Sequence, residues 1–342
     1  MRVSMYYSNS NLRLEEMPRP EIGPGELLVR VEASGICGSD VMEWYRAGKV
    51  PLVLGHEIAG EVVEVGEGVT SFSEGDRVAV THHVPCMSCH YCASGHETVC
   101  DTLRTTSFDP GGFAEFVRVP AINVELGTFR LPDSVSYEEG SFVEPLACVM
   151  RGQRQGNFAP GCSVLVIGSG ISGLLHLMVA RALGAGRIVA TDMLDFRLEK
   201  ARQLGAEATI LASEDVNARF RKMNEGRGAD LVVVCAGASQ AIEQAMQAVA
   251  RSGTVLFFAT TRPEVSIPLP VNEFFWRKEI TLTSSYAGSP ADCQTALELI
   301  RAGRLPVTET ITHRLPLAET GRGFDLVVNP ENSIKVIIEP RR

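Results

Sequence analysis

The stretch "VLVIGSGISGLLHL", residues 164 to 177, constrains the fold most strongly. An apolar run meets Gly168, Gly170 and Gly173 in the pattern G-x-G-x-x-G and passes into a helix-like segment. Glycines at that spacing suit a strand-to-helix turn. The first permits the tight turn, the second lets the backbone approach a pyrophosphate, and the third lets helix and strand pack closely. The helix start, with Ile171 and Ser172, would meet the phosphates with free N–H groups and a positive dipole end. Alone the pattern is weak, so its surroundings must decide.

Those surroundings agree with it. "SVLVIG", "RIVATD", "DLVVVCAG" and "TVLFFAT" are continuous apolar runs, as expected of strands buried on both faces of a parallel sheet. Between them lie "LLHLMVARALG", "FRLEKARQLG" and "QAIEQAMQAVARSG", helix-length stretches that each end near a glycine. The alternation argues for a doubly wound α/β domain over residues 152–286. "RIVATD" ends in Asp192, whose carboxylate would accept hydrogen bonds from ribose hydroxyls and repel a 2′-phosphate. NAD is therefore expected rather than NADP. An ordinary helix N-cap is the other reading of Asp192, and Arg197 nearby could serve a 2′-phosphate.

The first 130 residues read differently. "ELLVRVEASGIC", "EIAGEVVEVG", "DRVAV" and "FAEFVRVP" are short β-type runs between glycine and proline signals, which suggests an antiparallel domain. "SYEEGSFVEPLACVMRGQRQ" reads as a helical link to the α/β domain. After it, "CQTALELIRAG" and "SIKVIIEP" read as a helix and a final strand that return to the first domain. The expected division is 1–151 with 287–342, and 152–286.

A formal charge of −9 argues against nucleic acid or an anionic membrane as partner, since both need a basic surface. The opening residues carry no apolar stretch of signal-peptide type, and no apolar run approaches a membrane span. A cytoplasmic location is expected, where thiols stay reduced. There, Cys86, Cys89, Cys92 and Cys100, spaced C-x2-C-x2-C-x7-C, read as a metal site rather than a disulfide staple. Zinc suits four thiolates in a closed shell. An iron–sulfur cluster is the alternative, but its usual spacing brings the last cysteine closer. His82, His83, His90 and His96 read as loop residues, because the thiolates already fill the shell, and His313 reads as structural. Cys148, Cys162, Cys235 and Cys293 read as small buried hydrophobes.

A second constellation is scattered along the chain. "GICGSD" carries Cys37 and Ser39, "LGHE" carries His56 and Glu57, and "VEPLA" carries Glu144. Each has a bland reading: a core cysteine, a satisfied histidine, an acid in a first helical turn. Together, cysteine, histidine and carboxylate make a catalytic zinc set with a position left open for water or substrate.

With "GGFAEF" and "GSGISG", these motifs follow one another in the order of the medium-chain, zinc-dependent alcohol dehydrogenase family. The chain resembles that family over nearly its whole length, above all the sorbitol (polyol) and threonine dehydrogenase branch. The resemblance implies a GroES-like β-rich catalytic domain beside a Rossmann domain, two zinc ions per chain, and NAD. Cys37, His56 and Glu57 would hold or neighbour the catalytic zinc, and Glu144 would coordinate it or bind its water. Cys86, Cys89, Cys92 and Cys100 would hold the structural zinc, and Ser39 would pass on the alcohol proton. The implied reaction is oxidation of a small-molecule secondary alcohol, polyol-like, to a ketone. An L-threonine 3-dehydrogenase-like activity on amino or hydroxy compounds is the alternative. A homo-oligomer is implied, a tetramer before a dimer. Met42 stands where many relatives carry a relay histidine, which removes that group. A non-catalytic zinc-binding protein is disfavoured by the acidic charge and the second ligand set. A metal-free quinone or enone reductase is disfavoured by Cys37, His56 and Glu144 together. Met42, Trp44, Phe274 and Trp276 are candidates for a pocket wall or for core packing.

Overall fold

The apolar run Ser163–Ile167 is a strand with every residue buried. In the computed structural model, which describes residues 1–342, it lies inside a six-stranded sheet. The order across the sheet is Ala208–Leu211, Arg187–Asp192, Ser163–Ile167, Ala229–Val234, Val249–Phe257 and Thr281–Ser284, all parallel. From Ser163–Ile167 the chain winds outward through two strands, then crosses back to the other side. The strand order therefore reverses beside Ser163–Ile167, and a nucleotide binds at such a switch point. Leu165, Val189, Val232 and Val255 of these strands pack with Phe220, Ile242 and Ala245 of the covering helices.

The helix Ile171–Ala182 starts directly after Gly170, which offers no side-chain cap. Its first N–H groups stay free for an anion. Gly168 has φ +94°, and a Cβ on Gly173 would lie 1.9 Å from the Gly168 carbonyl oxygen. The first glycine is thus required by backbone conformation and the third by contact.

The second domain is built on a seven-stranded sheet. It runs Ile311–Pro316, Lys335–Glu339, Leu27–Gly35, Glu57–Val65, Arg77–Thr81 and Thr128–Arg130, with Phe116–Val119 also paired to Leu27–Gly35. Lys335–Glu339 pairs antiparallel with Leu27–Gly35, Ile337 opposite Gly35 and Ile338 opposite Ser34. That pairing brings the last strand of the chain beside one of the first. Val29, Val62, Val78 and Val117 fill one side of this domain, and Tyr6, Phe113 and Phe324 fill another. The compact units are Met1–Ala147 with Ala287–Arg342, and Cys148–Tyr286. The architecture is the expected one, a GroES-like β-rich domain and a Rossmann domain.

Some details differ from the sequence reading. The helical link is two helices, Tyr137–Gly140 and Val143–Gln155, the first started by a Ser136–Glu139 capping box. Trp44 and Trp276 are 47% and 69% exposed, so neither is core, whereas Phe274 packs partly against the Rossmann core.

His176 is fully buried in the Ile171–Ala182 helix. Its ring stands edge-on to Phe258, with centroids 4.4 Å apart, and neither ring nitrogen has a hydrogen-bond partner. Burial holds its pKa down to about 3, against 6.5 for an unperturbed imidazole. The unfolded chain therefore takes up a proton below about pH 6.5 that the folded chain refuses. The stability this neutral histidine permits is complete above that pH and is lost as pH falls towards about 3. Between pH 7.5 and pH 5 the loss amounts to about 2 kcal/mol. His176→Leu should remove that part of the acid sensitivity. Denaturant melts at the two pH values check it, and equal losses in both proteins would contradict it.

Candidate active site and structural metal site

Cys37 lies just past the strand Leu27–Gly35, and Glu57 opens the strand Glu57–Val65 with His56 before it. Sheet register sets Gly35 opposite Glu57. A Cβ on Gly35 would come within 2.1 Å of Glu57 Oε2 and 2.7 Å of Lys335 Nζ, so only glycine leaves room for these side chains. The ligand atoms of Cys37, His56 and Glu57 lie within 4.8 Å of one another. A thiol, an imidazole and a carboxylate form a donor set that zinc accepts with a fourth position open.

Asp40, with no solvent exposure, organises this loop. Its Oδ2 accepts the Cys37 N–H at 3.0 Å, and its Oδ1 lies 3.3 Å from His56 Nδ1. Burial works against a charged His56, but Asp40 and Cys37 outweigh it and hold its pKa well above the ordinary range. Burial likewise opposes ionisation of Asp40, and His56, the Cys37 N–H and Arg46 overcome it to keep that pKa low. With Nδ1 facing Asp40, Nε2 is the nitrogen left for a metal. Ser39 donates from its hydroxyl to Cys37 Sγ at 3.4 Å.

Glu57 pairs with Lys335, and the two side chains are 2% and 0% exposed. Lys335 also donates to the Ile36 carbonyl at 3.1 Å. Sequence reading passed over this lysine; its one signal is a charge set within the apolar strand "IKVII".

Glu144 is not among the three clustered ligands. It lines a small cavity of about 10 Å³ with Thr81, His82, His83 and Cys293. His82 and His83 lie in the loop after the strand Arg77–Thr81 and belong to neither ligand cluster. The His82 ring stacks 3.8 Å from His83 and 4.7 Å from His56, measured between centroids. Burial is the main cause that pushes His82 well below the usual histidine range and His83 down to about 4. Both imidazoles thus form a neutral wall on the metal-ligand side.

The four loop cysteines converge as a separate cluster. Sγ atoms of Cys89 and Cys92, and of Cys86 and Cys100, are 3.6 Å apart. A disulfide needs about 2.05 Å. Four thiolates around one zinc at about 2.3 Å stand about 3.8 Å apart. The spacing fits a closed tetrahedral shell. Backbone and hydroxyl bonds from Ser88, with the Cys89 N–H, draw the Cys86 pKa down to about 5, while burial and Cys89 push Cys92 up to about 12. Met87, at φ 56°, makes the turn between the first two ligands.

In the Rossmann domain the glycine turn and the end of the next strand meet. Asp192 Oδ2 accepts the Ser169 N–H at 2.8 Å, and Oδ1 accepts the Leu194 N–H at 3.0 Å. Arg197 Nη1 lies 3.7 Å from Asp192 Oδ2 and covers Gly170. Gly168, Gly170, Gly173, Asp192 and Arg197 thus belong to one surface, with Ile171 and Ser172 in the first helical turn.

Family models agree with this two-site, two-domain layout. The alcohol dehydrogenase GroES-like domain matches residues 23–132, and the zinc-binding dehydrogenase model matches residues 172–302. The sorbitol dehydrogenase of Mus musculus is 34% identical over 92% of this chain and 89% of its own. The chain belongs to the zinc-dependent medium-chain dehydrogenase family. This dehydrogenase is also 33% identical to "Probable D-xylulose reductase A" of Aspergillus clavatus, over 96% of this chain and 93% of that one. The alcohol dehydrogenase TADH from Thermus sp. ATN1 superposes with a TM-score of 0.87 at 32% identity, covering 99% of both chains. The protein is an NAD(H)-dependent oxidoreductase of the polyol-dehydrogenase type, with two distinct metal-binding clusters. No helix of the dehydrogenase is long and apolar enough to cross a membrane.

Removing one partner of a buried ion pair leaves the other charge uncompensated, at about 3–5 kcal/mol. Lys335→Met should destabilise the metal-free dehydrogenase by that order, and Lys335→Met with Glu57→Gln should recover most of it. Denaturant melts of the three proteins check this; a double variant as unstable as the single one would contradict it. The loop cluster gives a separate expectation. Cys89→Ser should release one zinc and lower Tm, and an unchanged zinc content would contradict a structural site there.

Proposed function

We propose that this dehydrogenase oxidises a secondary hydroxyl of a polyol-like substrate to a ketone and prefers NAD to NADP. The carrying observation is the gathering of Cys37, His56 and Glu57, with the Ser39 hydroxyl 3.4 Å from Cys37 Sγ. When bound, zinc at this set lowers the pKa of a substrate hydroxyl, and NAD accepts a hydride.

The chain's own groups do the rest. Cys37, His56 and Glu57 would hold the ion, leaving one position open, and Glu144 with the His82 wall would border its water. Ser39 Oγ would accept a hydrogen bond from the substrate hydroxyl and, with its own hydrogen turned away from Cys37 Sγ, would pass a proton on towards solvent as it takes one up. Asp40 stands beside Nδ1 of His56, so Nε2 is the nitrogen that would hold the ion. The four-cysteine shell has no open position and only braces its loop. A reducing, cytoplasmic setting suits a shell of four thiolates that hold a metal. The polyol reading and a homo-oligomeric state are supported by the family membership.

At the cofactor end, two backbone N–H bonds fix the Asp192 carboxylate, whose remaining lone pairs suit ribose hydroxyls. Arg197 is already engaged with that carboxylate, which leaves it poorly placed to welcome a 2′-phosphate.

Steady-state kinetics tests both parts. A panel of polyols, amino alcohols and simple alcohols should show the highest kcat/KM for polyols, and each should turn over faster with NAD than with NADP. Asp192→Ala should narrow the cofactor gap. Leading turnover of ethanol or butanol would overturn the substrate class, and leading turnover of an amino alcohol would favour the threonine-type activity. A preference for NADP would show that Arg197 governs that end.

A further inference from the structure

We propose that Arg46 is a positioning residue of this active site, holding Ser39 and the Asp40–His56 pair in register with Cys37. The proposal rests on the zinc-site reading above.

Arg46 closes the short helix Glu43–Arg46, and its N–H bonds back to the Met42 carbonyl at 3.2 Å, one turn earlier. The side chain turns inwards and is only 15% exposed. Nε and Nη2 both donate to the Ser39 carbonyl, at 3.3 and 3.2 Å. Nη2 also lies 3.8 Å from Asp40 Oδ1, the same oxygen that faces His56 Nδ1 at 3.3 Å. One guanidinium therefore touches the residue that carries the relay hydroxyl and the carboxylate that orients a metal ligand.

The electrostatics give this contact its purpose. Asp40 is a carboxylate with no access to water, and such a charge needs standing compensation. An imidazole that binds a metal does so in its neutral form. With His56 committed to a metal, the cation that still faces Asp40 Oδ1 is Arg46. Arg46 thus stands beside the Asp40 oxygen that faces His56 Nδ1, and by holding that carboxylate in place it keeps the His56 ring in one orientation. The planar fork on the Ser39 carbonyl fixes the same turn from the other side. Lysine could supply the charge but not the fork. The guanidinium rests on the Tyr45 ring, 4.9 Å from its centroid, which limits its freedom to swing out.

Arg46→Met and Arg46→Lys test this on the holoenzyme, compared with wild type at saturating zinc and NAD. Loss of an outer partner of a metal ligand costs about 10–100-fold in activity or metal affinity. Arg46→Met should lose kcat by that factor, with KM for NAD unchanged. Its Cys37-site metal should pass to a chelator faster, while the four-cysteine metal is released at the wild-type rate. After cobalt substitution at the Cys37 site, its visible bands should shift. Arg46→Lys should fall between, because charge returns without the fork. Should Arg46→Met not fold, Arg46→Lys carries the same three readouts. Wild-type kcat, release rate and cobalt spectrum in the folded variants would overturn the proposal. If the wild type oxidises no alcohol, the functional reading fails, while metal release and the cobalt spectrum still decide the role of Arg46.

Discussion

An ammonium group with no contact to solvent ties the GroES-like domain together at its active site. Lys335 sits on a strand near the end of the chain, yet it binds Glu57 and the Ile36 carbonyl, 278 and 299 residues away in sequence. It thereby joins the last strand to the strand that opens with a metal-ligand candidate and to the residue before Cys37. The cost of burying Lys335 is met only when both strands stand in the right register. Gly35 makes the arrangement possible, since any side chain there would occupy the space of the pair. Correct assembly of the sheet and correct assembly of the metal site are therefore one event.

Around that pair, charge is balanced in layers. Cys37 and Glu57 offer negative donors, and Lys335 stands behind Glu57. Asp40 stands behind His56, and Arg46 behind Asp40. Each ligand candidate except the thiol is thus backed by a partner of opposite or complementary charge, which fixes its direction before a metal arrives. His82 and His83, held neutral by burial, add a wall without adding charge. The loop cluster follows another logic: four sulfurs gathered against one another, with local N–H and hydroxyl groups as their other partners.

The parts of this design that obey local rules were legible in the sequence. The glycine spacing at Gly168, Gly170 and Gly173 reports a turn whose geometry is set within a few residues. The apolar runs of the Rossmann strands report burial on both faces directly. Cys86, Cys89, Cys92 and Cys100 were readable because the spacing of one loop limits what thiols can do. Lys335 was not readable as a site residue, because its partner is fixed by sheet register rather than by proximity in sequence. His82 and His83 are loop residues outside both ligand clusters, as read, but nothing in the sequence signals that the end of the strand Arg77–Thr81 delivers His82 beside His56. The break of the 137–155 segment into two helices was hidden by a helical pattern that runs through both.

The central claim is that Cys37, His56 and Glu57 form an open metal site that performs the chemistry, distinct from the closed four-cysteine site. Metal content and turnover measured together on purified wild type and Cys37→Ser test it most directly. The account predicts two zinc ions in the wild type, and in Cys37→Ser a folded protein that binds NAD, retains the loop zinc, and loses turnover by orders of magnitude. Full activity in Cys37→Ser, or a wild type that turns over substrate while holding only the loop zinc, would contradict it.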